Sequence, residues 1–259
     1  MNCAPIYDIV GAWRIGSFPL SGAFAIVSVG NALTRDILKA LPSKPLRRGS
    51  DFDPDIAIYS IDGEEIVVKD FARKDWMTRN LYGRFSIRRE AKALERLAGV
   101  RGVPQYRGRP DAFSVAMTYV PSSPVSAIIG ASKDNEPFVR ELEEIVAAMH
   151  QRGVLHLDMK HRTNIVVTKD GHPVVLDFTG SIRVNPHRFG GRSATWLLGA
   201  GDRMALRKWK RRLCPQTLSP REMRRAQFER KLRRMWLPRI VTDAFVAILP
   251  KPPKRKQRG

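Results

Sequence analysis

The residues of this sequence that are best suited to chemistry lie in one stretch, from His156 to Phe178. Its carboxylates Asp158 and Asp177 and its carboxamide Asn164 each stand at the end of a short apolar run. The last two runs are joined by an Asp-Gly pair, which predicts a β-hairpin. Pairing of these runs would bring Asn164 and Asp177 together, with Asp158 on the loop before them. Such a group suits phosphate chemistry at Mg²⁺, because this ion prefers hard oxygen ligands.

A lysine and a glutamate outside this stretch form a second pair of candidate groups. Lys69 lies in the apolar run I-V-V-K-D-F, which predicts a strand after an Asp-Gly hairpin turn. Glu90 lies beside the apolar face of a helix predicted over Ser86–Ala98. Taken singly, Lys69 is equally well explained as a solvated strand-edge residue, and Glu90 as one more surface charge.

These motifs, in this order, resemble the protein-kinase-like superfamily, with H-x-D…N followed by D-F. The resemblance implies that Asp158 accepts the proton of a substrate hydroxyl and that Asn164 and Asp177 hold Mg²⁺. His156 would orient the loop. Lys160 would neutralise the transferring phosphoryl group, or else be a solvated loop residue.

The same resemblance assigns the nucleotide side of the site. Lys69 would contact the α- and β-phosphates of ATP, and Glu90 would hold its amine in place. The predicted strand Phe113–Val120 ends in M-T-Y-V and resembles the strand that contacts adenine through main-chain groups, which would put Thr118 and Val120 at the base. Any buried strand that ends in a Pro-rich turn has the same pattern.

Three departures separate the sequence from ordinary protein kinases. Asp158 and Asn164 are six residues apart rather than five, and Thr179 stands where D-F-G has glycine. No G-x-G-x-x-G precedes Lys69; the segment there reads R-R-G-S-D-F-D-P-D, with the single glycine Gly49. The looser pattern resembles RIO-type kinases and the bacterial lipopolysaccharide core (Kdo/heptose) kinases more closely.

The fold class that this resemblance implies is α+β, a bilobal protein-kinase-like fold. It has a small β-rich N-terminal lobe with one helix, a shortened and mainly helical C-terminal lobe, and a basic helical tail. The predicted boundaries are a poorly defined extension over 1–46, the N-terminal lobe over 47–118, the C-terminal lobe over 119–200 and the tail over 201–259.

The best-defined helix is predicted over Asn135–His150, where acidic residues load the first half. Its apolar residues recur at helical spacing and form one stripe. The stripe consists of Phe138, Leu142, Ile145, Val146 and Met149. We expect it to be core that supports the loop of Asp158.

The charge of the chain is strongly positive and uneven. The net charge is +21, and the stretch 183–259 carries 22 Lys/Arg against four Asp/Glu, which is +18 of that total. Such a segment predicts binding to an anionic surface. Candidates are a phosphorylated glycolipid or an acidic membrane; nucleic acid is less favoured, because no RNA-binding motif appears.

Two segments leave alternatives open. The predicted helix Pro220–Leu237 is basic and amphipathic, so its apolar side packs on the C-terminal lobe or lies in a membrane interface. Ile15–Val29 is too short and polar to span a membrane, which leaves a weak membrane or signal role or a plain extension. Two isolated cysteines favour a reducing compartment. The expected location is the cytoplasm, peripheral on the inner face of the cell membrane.

Two functional hypotheses follow. The first is a kinase that uses ATP and Mg²⁺ to phosphorylate a hydroxyl, on a lipopolysaccharide core sugar or on a protein serine or threonine. The second is a catalytically inactive kinase-like scaffold that binds an anionic membrane or nucleic acid through its tail. The missing glycine loop favours the scaffold, whereas the retained Lys69, Glu90, Asp158, Asn164 and Asp177 favour the enzyme.

Overall fold

The computed structural model describes residues 33–129 and 134–224. The apolar run at 15–29 lies outside these residues. Of the predicted helix Pro220–Leu237, the structure describes residues 220–224, which are helical; the rest lies outside the described residues.

The N-terminal part is built on one antiparallel five-stranded sheet, in the order β1-β2-β3-β5-β4. Its strands are β1 (Ser43–Arg47), β2 (Asp55–Ile61), β3 (Glu64–Asp70), β4 (Tyr106–Gly108) and β5 (Ser114–Thr118). The β2–β3 hairpin turns at Asp62 and Gly63, whose φ angles of 51° and 80° are both positive. Asp and Gly tolerate this left-handed conformation, which a tight hairpin turn requires, so the turn signal in the sequence is explained.

Helix α2 (Arg84–Arg96) packs on this sheet and follows a π-helical turn, Thr78–Gly83. Ile87, Ala91 and Leu94 are buried, as the apolar spacing predicts. Ala98 lies beyond the end of the helix and is exposed.

The segment before β1 is also part of this sheet-rich unit. Helix α1 (Arg35–Ala40) buries Leu38 against Ile66, Val68 and Ala116 of the sheet. Arg35 donates two hydrogen bonds of 2.9 Å to the Asp70 carboxylate and a third to Asp111. The predicted extension 1–46 therefore contributes α1 and most of β1 to the lobe.

The C-terminal part is mainly helical and contains short strands only. Its helices are α3 (Glu136–Gln151), α4 (Gly191–Leu198) and α5 (Ala200–Leu213). Its strands are β6 (Ser122–Pro124), β7 (Val154–Leu155), β8 (Ile165–Thr168), β9 (Pro173–Val175) and β10 (Ile182–Arg183). β6, β8 and β9 form one antiparallel sheet, and β7 pairs with β10. Short 3₁₀ turns lie at Val125–Ala127, Phe178–Gly180 and Pro215–Thr217.

Helix α3 provides the centre of this part. All five residues of the predicted stripe are buried, together with Val139. They pack in one continuous core with residues of α2, β5, β8 and α5, including Leu94, Val115, Ile165 and Trp209. The two parts thus share a core, and the sheet-rich N-terminal and helical C-terminal parts confirm the predicted fold class. Among residues 33–129 and 134–224, no helix has the length and apolar character needed to cross a membrane.

Candidate active site

Lys69 and Glu90 form an ion pair between the sheet and helix α2. Lys69 lies in β3, the middle strand of the sheet, paired with Ile56 on β2 and Val115 on β5. Its Nζ donates a hydrogen bond of 2.7 Å to Glu90 Oε1. The lysine side chain is 13% exposed and the glutamate 1%. A strand-edge lysine and a surface glutamate are therefore both excluded.

The third member of this group is Asp177, which comes from the C-terminal part of the chain. Lys69 Nζ donates to Asp177 Oδ1 over 3.1 Å. Asp177 follows β9 with a φ of 66°, a left-handed conformation that is unusual for a residue with a side chain. The same carboxylate accepts from the backbone N–H of Thr179, at 3.4 Å. Its side chain remains 46% exposed, so one side of it faces open space.

The electrostatics of the three groups depend on one another. Burial alone would lower the pKa of the Lys69 amine, but Asp177 and Glu90 together raise it above its usual value. The Lys69 charge holds the pKa of Asp177 well below its usual range, against the effect of burial. Burial raises the pKa of Glu90, and Lys69 opposes that shift. Lys69 is thus protonated and Asp177 ionised at neutral pH.

The turn after Asp177 is fixed by Glu90. The backbone N–H of Phe178 donates to Glu90 Oε1 over 3.3 Å, and the Thr179 hydroxyl donates to Oε2 over 3.4 Å. Thr179, the departure from D-F-G, therefore adds a contact that glycine does not provide. Helix α2, β3 and the Asp177 turn are held together by one buried carboxylate.

Asp158 and Asn164 lie next to each other on the neighbouring loop. Asn164 Nδ2 donates to the Asp158 carbonyl and to Asp158 Oδ2, over 3.1 and 3.2 Å. The Asn164 carbonyl accepts from Leu176 N at 2.9 Å, which joins this loop to the residue before Asp177. The extra residue between Asp158 and Asn164 is therefore accommodated without separating the two side chains.

His156 holds the start of this loop. Its Nδ1 accepts from Asp158 N over 3.2 Å, so Nε2 carries the proton and donates to the Leu176 carbonyl at 2.9 Å. Its ring packs on Phe178 with 4.9 Å between centroids. The histidine is fully buried and connects the Asp158 loop to the Asp177 turn. This geometry agrees with the orienting position expected for it.

Asp202, a fully buried carboxylate in the first turn of α5, is not predicted from the sequence. It accepts hydrogen bonds from His156 N (2.8 Å) and Leu157 N (2.6 Å), and from the His150 ring (2.9 Å). Leu157 has a φ of 65°, so Asp202 satisfies backbone donors at a left-handed residue. The available signal was that Asp202 is the one acidic residue in a helix whose other charges are all basic.

The remaining predicted residues lie around this centre. Lys160 is exposed, two residues after Asp158. Thr118 ends β5 and is half-buried, and its hydroxyl accepts from Gln105 N, on the side of β4. The Val120 carbonyl accepts from the Ser122 hydroxyl in the segment that connects the two parts of the fold. None of these contacts tests an adenine-binding role for Thr118 or Val120.

The loop between β1 and β2 occupies the position of the missing glycine-rich motif. Gly49 N donates to Asp55 Oδ1 (2.9 Å), and Lys74 Nζ donates to Asp55 Oδ1 and the Gly49 carbonyl (both 3.0 Å). A Cβ at Gly49 would lie 2.2 Å from the Asp53 carbonyl oxygen, so only glycine fits there. Lys74, a second lysine of low exposure, was not predicted from the sequence.

The residues predicted to hold Mg²⁺ have the chemistry that the ion requires. Within the described part of the chain, His, Cys, Asp and Glu side chains form no group of three that could hold a metal ion. Asp177 is nevertheless an ionised, half-exposed carboxylate, and Asn164 Oδ1 has a lone pair beyond its bond from Thr163. Mg²⁺ commonly takes one or two protein oxygens and completes its shell with phosphate and water. The donor set therefore fits.

Comparison with known proteins places this fold in the class of protein-kinase-like folds. Two solved structures of the Rio2 kinase from Chaetomium thermophilum, one of them the ADP/Mg²⁺-phosphoaspartate complex, superpose with a TM-score of 0.50. Sequence identity is 15% to the complex and 16% to the other structure. Each alignment covers 71% of this chain, and 60% and 61% of those chains respectively.

This chain thus spans about 60% of the length of the Rio2 kinase structures that it resembles. At such identity the likeness establishes the fold alone. No family model matches the sequence. No curated protein matches it either. The resemblance to RIO-type kinases therefore has structural support at the level of the fold, and the resemblance to lipopolysaccharide kinases has none.

Proposed function

We propose that this protein is a phosphotransferase that moves the γ-phosphate of ATP to a hydroxyl group. One observation carries the proposal: the Lys69 amine bridges Glu90 and Asp177, and the three residues come from three separate parts of the fold. A buried cation beside a half-exposed carboxylate is the arrangement expected of a site that holds a nucleotide through its phosphates. A purely structural ion pair would not require the exposed carboxylate.

In this proposal Lys69 contacts the α- and β-phosphates, and Glu90 fixes the position of its amine. Because Glu90 also holds the turn after Asp177, correct placement of the lysine and of Asp177 depends on the same buried side chain. Phosphoryl transfer requires mainly positioning and charge neutralisation, and a preorganised group of this kind provides both.

Asp158 is the proposed acceptor of the hydroxyl proton. Asn164 holds one of its oxygens, and His161 Nε2 lies 3.4 Å from the other, so the carboxylate has a fixed orientation. Lys160 would neutralise charge on the transferring phosphoryl group. Thr118 and Val120 would contact the adenine through their main chain.

Asn164 and Asp177 would hold Mg²⁺, which supplies charge neutralisation to the phosphates when it is bound. The Rio2 kinase structure with ADP and Mg²⁺ supports the choice of nucleotide and ion, since it has the same fold.

The proposal is tested by transfer of labelled γ-phosphate from ATP in the presence of Mg²⁺ and a cell extract. We expect Asp177→Asn and Lys69→Met each to lower transfer by a factor of about 10² or more, since one preorganised electrostatic group commonly contributes that much. The matched control is Lys210→Met, which removes another lysine of low exposure that pairs with Glu143 and Glu222. Equal transfer by wild type and Asp177→Asn would refute the proposal.

A second candidate is the inactive scaffold, and the β1–β2 loop favours it. This loop has the single glycine Gly49 where a nucleotide-binding loop would have several. A scaffold predicts no ATP-dependent shift of the melting temperature in wild type, whereas an enzyme predicts a shift that Asp177→Asn abolishes.

The acceptor and the place of action are further proposals. A hydroxyl on a lipopolysaccharide core sugar suits the basic stretch 201–259, because that acceptor is anionic and membrane-bound. A serine or threonine of a protein is the other acceptor, which the resemblance of the sequence motifs to RIO-type kinases suggests. Cytoplasmic action at the inner face of the cell membrane agrees with both acceptors.

A further inference from the structure

A cavity of about 530 Å³ lies beside the loop of Asp158 and is lined by positive charge. Every side chain of the described residues that lines it is basic. They are Lys160, His161, Arg162, Lys208 and Arg212. Three follow Asp158 closely on its loop, and two come from helix α5.

The cavity is held in place by the contact between α5 and the Asp158 loop. Lys208 and Arg212 are four residues apart on α5, and so on one face of the helix. The buried Trp209 between them donates from Nε1 to the Met159 carbonyl over 2.8 Å. Lys208 Nζ and the Arg212 guanidinium lie 4.8 and 5.6 Å from the Trp209 ring centroid. Lys208 Nζ also donates to the Lys160 carbonyl.

The cavity lies one side chain away from the proposed proton acceptor, which is not part of its wall. His161 forms part of its wall, and His161 Nε2 lies 3.4 Å from Asp158 Oδ1. A molecule bound among the five basic side chains would therefore extend to the Asp158 carboxylate across the width of one side chain.

Charge concentration of this kind favours a dianion. Like charges around one open cavity repel one another, and together they raise the local concentration of anions. A phosphate monoester carries a charge of about −1.5 to −2 at neutral pH and offers three strong acceptor oxygens. Arginine and lysine are the side chains that bind phosphate most readily.

We propose that this cavity binds a phosphate monoester that the acceptor already carries, and that the acceptor is a sugar phosphate. The inference rests on the proposed function. Basic side chains from two elements lie around one open cavity, a small footprint that suits a sugar phosphate better than an extended phosphopeptide, whose contacts would spread along a groove. The bound phosphate would hold a hydroxyl of the same sugar at Asp158.

In the proposed transfer step, Asp158 takes the hydroxyl proton, and the sugar oxygen forms a bond to the γ-phosphorus of ATP. The bond from that phosphorus to the oxygen bridging the β-phosphate breaks, and ADP leaves. The product is a sugar that carries two phosphates.

The experiment measures binding of glucose 6-phosphate, glucose and inorganic phosphate by calorimetry. We expect wild type to bind glucose 6-phosphate and inorganic phosphate but not glucose. The double variant Arg162→Gln/Arg212→Gln should bind glucose 6-phosphate at least 10-fold more weakly. The double variant Lys92→Gln/Lys169→Gln, which removes two exposed charges elsewhere, should bind as wild type does. Circular dichroism confirms folding, and if Arg212→Gln unfolds the chain, Arg162→Gln alone replaces the pair.

Three outcomes would overturn the inference: no phosphate binding, binding that the Arg162→Gln/Arg212→Gln change leaves intact, or equal binding of a phosphoserine peptide. A fourth is displacement of glucose 6-phosphate by MgATP, which would assign the cavity to the nucleotide. Asp177→Asn separates this inference from the proposed function. That variant should lose MgATP binding and keep glucose 6-phosphate binding. If Asp177→Asn left MgATP binding unchanged, the enzyme proposal would be refuted, whereas glucose 6-phosphate binding in the cavity would still be tested by its own variants.

Discussion

At the scale of single residues, Lys69 determines the protonation of the site. Its amine keeps Asp177 ionised, because it offsets the cost of burying that carboxylate. Glu90 has the opposite tendency, since burial raises its pKa and only Lys69 opposes this. The charge of Lys69 therefore lowers the pKa of both carboxylates and offsets the repulsion between them.

Removing this cation gives a prediction about pH. The pKa of Asp177 is lowered on folding, so its pairing contributes stability above the unfolded pKa of about 3.9, and this is lost as pH falls further. The pKa of Lys69 is raised, so its contribution is full below about pH 10.4 and is lost as pH rises beyond. The free-energy difference between wild type and Lys69→Met should be largest near neutral pH and shrink on both sides, on the acid side also because Glu90 is protonated more readily without Lys69. Urea unfolding at a series of pH values measures it.

The control for this prediction is Lys74→Met, because Lys74 pairs with Asp55 and lies outside the Asp177 group. Carbon-13 NMR of the carboxyl groups should show the pKa of Asp177 rising to about 4 or above in Lys69→Met. It should stay low in Lys74→Met. An unchanged Asp177 pKa in Lys69→Met would contradict the pairing.

The residues of the site differ in how far the sequence predicts them. Lys69, Glu90, Asp158, Asn164 and Asp177 stand in motifs whose order and flanking apolar runs indicate that they converge, and the structure brings them together. Their roles remain predictions. Asp202 has no such motif, because its partners lie 45 to 52 residues earlier and two of the three are backbone groups, which have no side-chain pattern to read.

At the scale of elements, helix α5 positions the Asp158 loop through Asp202. We expect Asp202→Ala to lower the free energy of unfolding by about 3 kcal/mol, because it leaves the buried His156 N–H and the partly buried Leu157 N–H without an acceptor. Asp202→Asn keeps one acceptor oxygen and should cost less. Denaturant unfolding of both variants measures the difference, with Asp36→Ala, an exposed helix carboxylate, as the control. A loss no larger than that of Asp36→Ala would show that α5 does not hold the loop.

Helix α1 is attached to the sheet by Arg35, which gives a second prediction about an element. Asp70 and Asp111 raise the pKa of Arg35 still further, so the guanidinium is always charged. Arg35→Gln should lower the free energy of unfolding by about 1–2 kcal/mol, because hydrogen bonds between charged and partly buried groups are lost. The exposed pair Lys39–Asp36 is the matched comparison. Lys39→Gln should change stability by less than about 0.5 kcal/mol in the same urea titration. Equal effects of the two changes would contradict a tethering role.

The elements that the sequence predicts are those with a strong local signal. The two Asp-Gly hairpins and the stripes of α2 and α3 fall in this class. In α5, Trp209, Ala205 and Leu213 form the buried face, whereas Met204 and Leu206 are only half-buried. Helix α4 was missed, because it leaves Trp196, Leu197 and Leu198 at least 42% exposed and so has no inward apolar face. Strand β1 was missed too, because every one of its residues is exposed.

At the scale of the whole molecule, positive charge is concentrated after residue 183. The structure assigns part of it a position: Lys208 and Arg212 of α5 face the Asp158 loop. The remainder includes 11 Lys/Arg against two acidic residues in 225–259. Leu213, Cys214 and Leu218 are buried, so these residues belong to the core. A truncation meant to remove only basic residues beyond the core should therefore keep residues 1–224 and remove 225–259.

The proposed role of the tail is to hold the protein at an anionic membrane, and truncation after Arg224 tests it. Each Lys or Arg near such a surface contributes about 1 kcal/mol, so loss of 11 should abolish binding to phosphatidylserine vesicles. We expect the full chain to bind these vesicles at 50 mM salt, to dissociate at 500 mM, and to ignore phosphatidylcholine vesicles. Vesicle binding by residues 1–224 at the level of the full chain would refute the role. Binding of the full chain to duplex DNA or RNA with a steep dependence on salt, in preference to vesicles, would assign the tail to nucleic acid instead.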